Sequence, residues 1–267
     1  MCKNTLFARI KTFLEQEGIE YCKALEFSRC SVINQRRMPE FDVKSAVVFL
    51  MPYKTGDYPH RNVSLYSVSR DYHLYAKMLA EKLNAAFSED GKGFYLTADS
   101  SPVDERAAAV ECGLGVMGEN GLVINEKYGS YVFVGTILTD AVFEEGEYAP
   151  KTDIKKVCLG CGRCKEACGY LRGDGGVCLS ELTQKKTLDE NELAAVRSNR
   201  IRWGCDTCQQ VCPMNKEVHN TPIPFFHEAV LPWVSVQIIE NMTDEEFESR
   251  AYSWRGKKVI LRNLSDE

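Results

Sequence analysis

No stretch of this chain approaches the roughly 20 consecutive apolar residues that a membrane span requires. The amino terminus, Met-Cys-Lys-Asn-Thr-Leu-Phe-Ala-Arg-Ile-Lys, has neither the apolar core nor the small-residue cleavage site of a secretory signal. No long low-complexity tract interrupts a composition that is 44% hydrophobic and 27% charged, so a packed core is affordable at 267 residues. Basic charge has no surplus. With 33 Lys and Arg against 38 Asp and Glu, the net charge of −5 gives no general basic face for nucleic acid. Two local basic stretches, Arg197 to Arg202 and Arg255 to Arg262, read equally well as solvated surface. These absences point to a cytoplasmic protein with no membrane partner, and a monomer is expected.

Cysteine, by contrast, is abundant. Disulfides rarely persist in the cytoplasm, so clustered cysteines there more often bind metal. Eight of the twelve fall into a pattern: Cys158-x-x-Cys161-x-x-Cys164-x-x-x-Cys168, then Cys178, then Cys205-x-x-Cys208-x-x-x-Cys212-Pro213. The first run has the bacterial ferredoxin spacing, in which three thiolates hold one cluster and the fourth crosses to another. By that logic Cys158, Cys161, Cys164 and Cys212 hold one [4Fe–4S] cluster, and Cys168, Cys178, Cys205 and Cys208 a second. Zinc is the alternative, but zinc sites usually pair two Cys-x-x-Cys knuckles rather than placing four cysteines in eleven residues. Cys2, Cys22, Cys30 and Cys112 have no ligand spacing and read as buried, inert thiols.

The rest of the chain alternates between helical and extended patterns. Leu6, Phe7, Ile10, Phe13 and Leu14 predict an amphipathic helix stopped by Gly18. Ala46 to Leu50 predicts a buried strand ending at Pro52. Helical spacing returns from about Ser69 to Phe87, and Phe94 to Thr97 reads as a strand. Ser101 is expected to cap the next helix, with Pro102 at its first position and Asp104 as the capping-box acid, and Gly113 and Gly115 to end it. Leu122 to Ile124 and Tyr131 to Leu138 are expected to pair through a turn at Lys127 to Gly129. This alternation predicts an α/β layer over about the first 145 residues. Composition shifts near Ala149-Pro150-Lys151 to a Cys- and Gly-rich segment whose stability would come largely from metal. Thr243 to Glu248 predicts a short helix in the tail.

Several separate stretches resemble the epoxyqueuosine reductases, cobalamin and iron–sulfur enzymes of tRNA queuosine synthesis. They are Ser69-Arg70-Asp71-Tyr72-His73, Ala98-Asp99-Ser100-Ser101-Pro102-Val103-Asp104-Glu105-Arg106, the segments 113–120 and 129–135, Cys178-Leu179-Ser180-Glu181-Leu182-Thr183-Gln184, and Gly204 to Pro213. The resemblance runs from about residue 40 to the end. It implies an N-terminal α/β cobalamin-binding domain (1–148), a ferredoxin-like double [4Fe–4S] domain (149–221) and a C-terminal helical tail packing back on the core (222–267). It further implies base-off cobalamin between the first two domains, an epoxide reduced to an alkene with loss of water, and electrons from an external donor such as ferredoxin or flavodoxin. Asp99 occupies the position of the family's proton-donating Asp, and a donor carboxyl at neutral pH calls for burial away from water. Its bland reading is a turn residue in Ala-Asp-Ser-Ser-Pro. Arg70, Tyr72, His73, Asn120, Ser130, Thr183 and Gln184 lie in matched segments and are candidate corrin contacts. No His lies in a recognisable cobalt-ligand motif.

The family usually continues into helical repeats that grip tRNA, so a short form is expected here. Gly169 replaces the usual proline after Cys168, and the stretch to Cys178 is short. The substrate is accordingly tRNA or a modified nucleoside or base. A plain iron–sulfur electron carrier and a reductive activator of a corrinoid partner are the competing functions. A reductive dehalogenase, which shares the cofactor pair but usually carries an export signal, is a further one.

Overall fold

The computed structural model describes residues 5–150, 158–173 and 176–265. The first half runs α1 (Leu6–Gln16), β1 (Cys22–Glu26), β2 (Ser45–Pro52), α2 (Tyr72–Ala86), β3 (Phe94–Ala98), α3 (Glu105–Glu111), β4 (Val116–Met117), β5 (Val123–Ile124) and β6 (Val132–Thr139). Four strands form one antiparallel sheet in the order β1-β2-β6-β3. All eight residues of β2 are buried because both faces of the sheet are covered. Val47, Phe49 and Met51 face α1 and α2, meeting Ile10, Leu14, Leu79 and Leu83. Val48 and Leu50 face α3, meeting Ala108, Ala109 and Leu114. A two-sided burial of this kind produces a continuous apolar run rather than an alternating one. Gly135 of β6 lies opposite Phe49, and a Cβ there would overlap the Phe49 ring.

The helix stops lie where the glycines predict. Gly18 and Gly113 both take positive φ just past α1 and α3. The N–H of Ile19 reaches Leu14 O, and that of Leu114 reaches Ala109 O, the six-to-one bond of a Schellman stop. Two expectations are corrected. The cap of α3 is Asp104, whose carboxylate accepts from Ala107 N; Ser101 instead turns inward, accepting from Val103 N and meeting Thr136 Oγ1. The hairpin between 122–124 and 131–138 also does not form. Both edges of β6 are taken by β2 and β3, so β5 pairs with β4 in a separate two-stranded ribbon.

The second half is helical: α4 (Arg163–Ala167), α5 (Gly169–Arg172), α6 (Leu179–Gln184), α7 (Glu190–Arg197), α8 (Thr207–Gln210), α9 (Pro224–His227), α10 (Val236–Asn241), α11 (Asp244–Glu248) and α12 (Lys257–Leu264). Trp203, fully buried, gathers Val63, Leu65, Val234, Phe247, Tyr252 and Ile260 into one apolar cluster that joins the cysteine segment to the last forty residues. Buried polar side chains tie the same parts. Asn263 donates to Thr183 O and Arg202 O, and Asn62 exchanges two bonds with Val234. Much of the basic charge is structural. Arg202 donates to the carbonyls of Val196, Arg197 and Asn199 at the end of α7, and Arg262 to those of Lys185 and Lys186. Among the described residues, no helix is long and apolar enough to cross a membrane.

Candidate active site

The strand β3 ends in an unusual turn. Asp99 takes φ 63°, and the N–H of Ser100 bonds back to Ala98 O at 2.7 Å, a γ-turn with Asp99 at its apex. A non-glycine residue held there costs of order 1–3 kcal/mol and persists only where neighbours over-determine it. Glu105, the first residue of α3, supplies one constraint: its Oε2 accepts the Asp99 N–H at 2.7 Å. The Asp99 side chain then projects into an open cleft of about 480 Å³. That lies within the ~300–1,000 Å³ of ordinary small-ligand pockets. Tyr72, Val103, Glu105, Arg106, Val123 and Phe133 help to line it.

Three titratable groups, Tyr72, His73 and Glu105, surround Asp99. Tyr72 stacks on Phe133 with centroids 3.8 Å apart, and burial together with the nearby Asp99 carboxylate pushes its hydroxyl pKa well up. His73 places Nε2 3.9 Å from Asp99 Oδ2 while Nδ1 lies 2.8 Å from Asp71 Oδ1. Burial lowers the His73 pKa, but the hydrogen bond and charge of Asp71, with the charge of Asp99, outweigh it and hold the pKa above its ordinary value. Glu105 is pushed up to about 8, chiefly by burial, with the Asp99 and Asp104 charges adding to it. The burial expected of Asp99 itself is absent: its side chain is 72% exposed, so the chain alone does not desolvate it.

The β4–β5 ribbon forms the far wall. Leu122 and Val123 line the Asp99 cleft, while Gly118, Glu119, Asn120 and Ile124 line a second cavity. That second cavity is also lined by Cys158, Cys161, Cys164 and Cys212, the four cysteines that the spacing assigns to one cluster. Cys208 is pushed up to about 12 by burial and then by the charges of Cys205, Cys168 and Cys178, the other assigned set. The described cysteines are all free thiols. No three His, Cys, Asp or Glu side chains among the described residues converge as a single ion requires. Cys22 and Cys112 are buried and Cys30 half-buried, with burial pushing their thiols to about 11, 12 and 11, as inert thiols should be. Cys2 lies outside the described residues.

The remaining candidates divide. Tyr72 lines the cleft, and His73 stands beside Asp99. Arg70 turns away, bonding Glu228 at 2.8 Å and covering the Phe225 ring. Asn120 caps its own turn through Leu122 N and reaches the Cys208 thiol. Ser130 donates to Gln209 Oε1 and accepts from Asn215, which brace the segment between Cys205 and Cys212. Thr183 accepts the N–H of Gly204, next to Cys205, and Gln184 bonds only within its helix, to Ser180. Three residues of this architecture had no role from sequence. Glu105 carries the Asp99 turn, Gln209 links Tyr53 and Ser130, and Asp206 forms a buried pair with Arg61 at 2.8 Å. An acid as the first residue of a helix behind Asp99 was the only sign in the sequence of the first.

No family model matches the chain. Curated relatives do. An epoxyqueuosine reductase of Listeria monocytogenes is 36% identical over 182 residues, 62% of this chain and 45% of that one. One of Bacillus cereus is 33% identical over 210 residues, 74% and 54%. One of Lactococcus garvieae is 31% identical over 230 residues, 80% and 62%. The chain thus spans about half the length of the curated relatives it matches. Among solved structures, the epoxyqueuosine reductase of Streptococcus thermophilus superposes with a TM-score of 0.71 at 24% identity, covering 97% of this chain and 80% of that one. A crystal structure of epoxyqueuosine reductase with an epoxyqueuosine-modified tRNA-Tyr stem loop gives 0.73 at 23%, with the same coverage. The mixed α/β fold is shared with both.

Proposed function

Because curated epoxyqueuosine reductases match the chain at 31–36% identity, we propose that it is a member of that family, an iron–sulfur and cobalamin-dependent oxidoreductase that reduces the epoxide of a queuosine precursor, or of a related modified nucleoside, to an alkene. One observation carries the reading: a single two-stranded ribbon has the Asp99 cleft on one side and the cavity of Cys158, Cys161, Cys164 and Cys212 on the other. A carrier of electrons alone has no use for a cleft of that size with an acid at its edge.

The residues present suit the implied groups. Eight thiols in two sets of four match the donor set of two [4Fe–4S] clusters, and the spacing of four cysteines in eleven residues is unlike the paired knuckles of zinc sites. The wide cleft, walled by Val103, Val123, Phe133 and Val134 and carrying polar groups from Tyr72, Asp99, Ser101 and Arg106, suits a flat macrocycle with amide edges. A reduced corrin supplies a strong nucleophile and a two-electron path to an epoxide carbon. The chain's own part is to bind, exclude water and move protons. Asp99, on the lining of the cleft, would protonate the oxyanion left by an opening epoxide, and a ligand filling the cleft would supply the desolvation that the chain alone does not. Tyr72 and His73 fix the Asp99 carboxylate from the side of α2. The layered part, residues 1–148, is then the corrin and substrate domain, 149–221 the ferredoxin-like domain, and 222–267 the tail. A relative holding a tRNA stem loop supports tRNA as substrate.

Anaerobic purification, reconstitution and quantification of iron, sulfide and cobalt test the reading, followed by turnover on an epoxyqueuosine-modified stem loop and on the free nucleoside. Eight irons and one corrin per chain, with alkene formed from either substrate, are expected. Two clusters without corrin affinity would identify an electron carrier. A stable complex with a corrinoid protein and no organic turnover would identify an activator of that partner.

A further inference from the structure

We propose that Glu105 stores the second proton of the reaction beneath Asp99 and passes it to the Asp99 carboxylate after that group has given up its own. The inference rests on the reductase reading. Converting an epoxide to an alkene breaks both C–O bonds, forms the C=C bond and releases the oxygen as water. The balance is two electrons and two protons. The electrons come one at a time from a low-potential carrier through the clusters. One acid supplies one proton, so an exposed Asp99 must be reloaded within the turnover or a second group must hold the other proton.

Glu105 has the placement of such a group. It lies on the cleft wall, and its carboxyl is tied to Asp99 through Oε2 and the Asp99 N–H. Its other oxygen, Oε1, is buried without a hydrogen-bond partner. A buried ionised carboxylate with one oxygen unsatisfied is costly, and a neutral acid is the cheaper form. No cation relieves it. Arg106, the next residue, sends its guanidinium to Gly121 O, and among the described residues no lysine or arginine pairs with Glu105. The charged groups that face it are Asp99 and Asp104, both acids, and burial with these charges raises its pKa to about 8. Asp104 is committed to Ala107 N as the helix cap, which leaves Asp99 as the acceptor. With the cleft filled, the Asp99 carboxylate left after donation is desolvated and becomes the stronger base, so transfer from the neutral Glu105 returns Asp99 to the donor form. Glu105, which lines the cleft, then reloads once product release readmits solvent. His73 also faces Asp99, but its Nε2 stands 3.9 Å from Oδ2, beyond hydrogen-bond reach, and its Nδ1 is engaged by Asp71.

The test compares Glu105→Gln with wild type and with His73→Gln, all reconstituted with clusters and corrin. The glutamine keeps an acceptor for the Asp99 N–H and cannot pass a proton. Turnover of the wild type is expected to fall as pH rises through about 8, where Glu105 loses its proton. Glu105→Gln should lower kcat at least tenfold at pH 7, flatten that fall and leave KM within about twofold. His73→Gln should keep the fall. A reading independent of turnover comes from pH-difference infrared spectra of the loaded chain. A protonated carboxyl band that disappears near pH 8 in the wild type, and is missing from Glu105→Gln, supports the store. The idea is overturned if Glu105→Gln has the wild-type kcat and pH profile, if His73→Gln alone removes the alkaline fall, or if the carboxyl band is already gone at pH 6. A band that titrates near pH 8 in a chain without epoxide turnover would sink the reductase reading and the transfer step while leaving the stored proton in place.

Discussion

Removing the Asp206 carboxylate should be among the most damaging single changes to this protein. Asp206 lies between two proposed cluster ligands, Cys205 and Cys208, and its side chain is 1% exposed. One of its oxygens, Oδ2, accepts from Arg61 Nη2 at 2.8 Å and from Leu65 N at 2.8 Å. The other receives a longer bond from Gln209 at 3.3 Å. Burial pushes its pKa up even against the pull of Arg61, so desolvation is already large here. Asp206→Ala would leave the Arg61 guanidinium, 10% exposed and with Nε already unpartnered, as an uncompensated buried charge. Breaking a buried pair from one side costs about 3–5 kcal/mol. The orphaned Leu65 N–H belongs to the same loss, and the two are not additive. Against a typical total of about 5–15 kcal/mol, the variant should be marginal. Urea unfolding followed by circular dichroism, with the slope held constant, gives the number. The double variant Arg61→Met with Asp206→Leu removes both charges and should regain most of the loss. A cost below about 1 kcal/mol for Asp206→Ala, or no recovery in the double variant, would refute the argument.

The other predictions concern the site and the sheet. Asp99→Asn should keep iron, sulfide and corrin content while lowering turnover by about 10²–10⁴-fold, measured on modified stem loop or nucleoside. Cys212→Ser and Cys168→Ser should each remove about four irons, from different clusters with different spectra, under the crossed-ligand assignment; loss of all iron in both would contradict independent sets. Gly135→Ala presses a methyl into the Phe49 ring and should cost about 1–3 kcal/mol in thermal or urea unfolding. Glu105 also sets a pH trend in stability. Its pKa rises from an ordinary 4.5 to about 8 on folding. The folded chain therefore holds this proton where the unfolded chain releases it. Stability from this group is complete below pH 4.5 and is lost as pH rises toward 8. The ceiling is roughly 5 kcal/mol, and water entering the open cleft lowers it. Glu105→Gln should thus melt higher than wild type at pH 8 and closer to it at pH 4.5, compared by scanning calorimetry.

How much of this was legible in the chain depends on the range of the interaction. Local chemistry read well. Gly18 and Gly113 end helices because only the left-handed conformation closes the Schellman bonds, and that preference is carried by the residue itself. The apolar run Ala46 to Leu50 marked a buried strand, since alternation is lost when neither face meets water, and the structure extends it to Ser45–Pro52. The spacing assigns Cys158, Cys161, Cys164 and Cys212 to one set, and these four line a single cavity. Pairing and capping did not read as well. Ser101 and Asp104 are both good caps by propensity, and the nearby Thr136 on β6 drew Ser101 inward and left the helix to Asp104. The strand β6 passed over its sequence neighbour because β2 and β3, distant in the chain, occupied both of its edges.

What the sequence determined by itself is the set of reactive groups: the thiols, the acid at 99, and the helix and strand periods that mount them. Only the tertiary structure decided their company. It set Glu105 under Asp99, turned Arg70 toward Glu228 and left Asp99 open to the cleft. Spacing and propensity act over a few residues and are written in the chain. Burial, charge pairing and proton affinity depend on groups brought together from far apart, and these exist only once the core has closed.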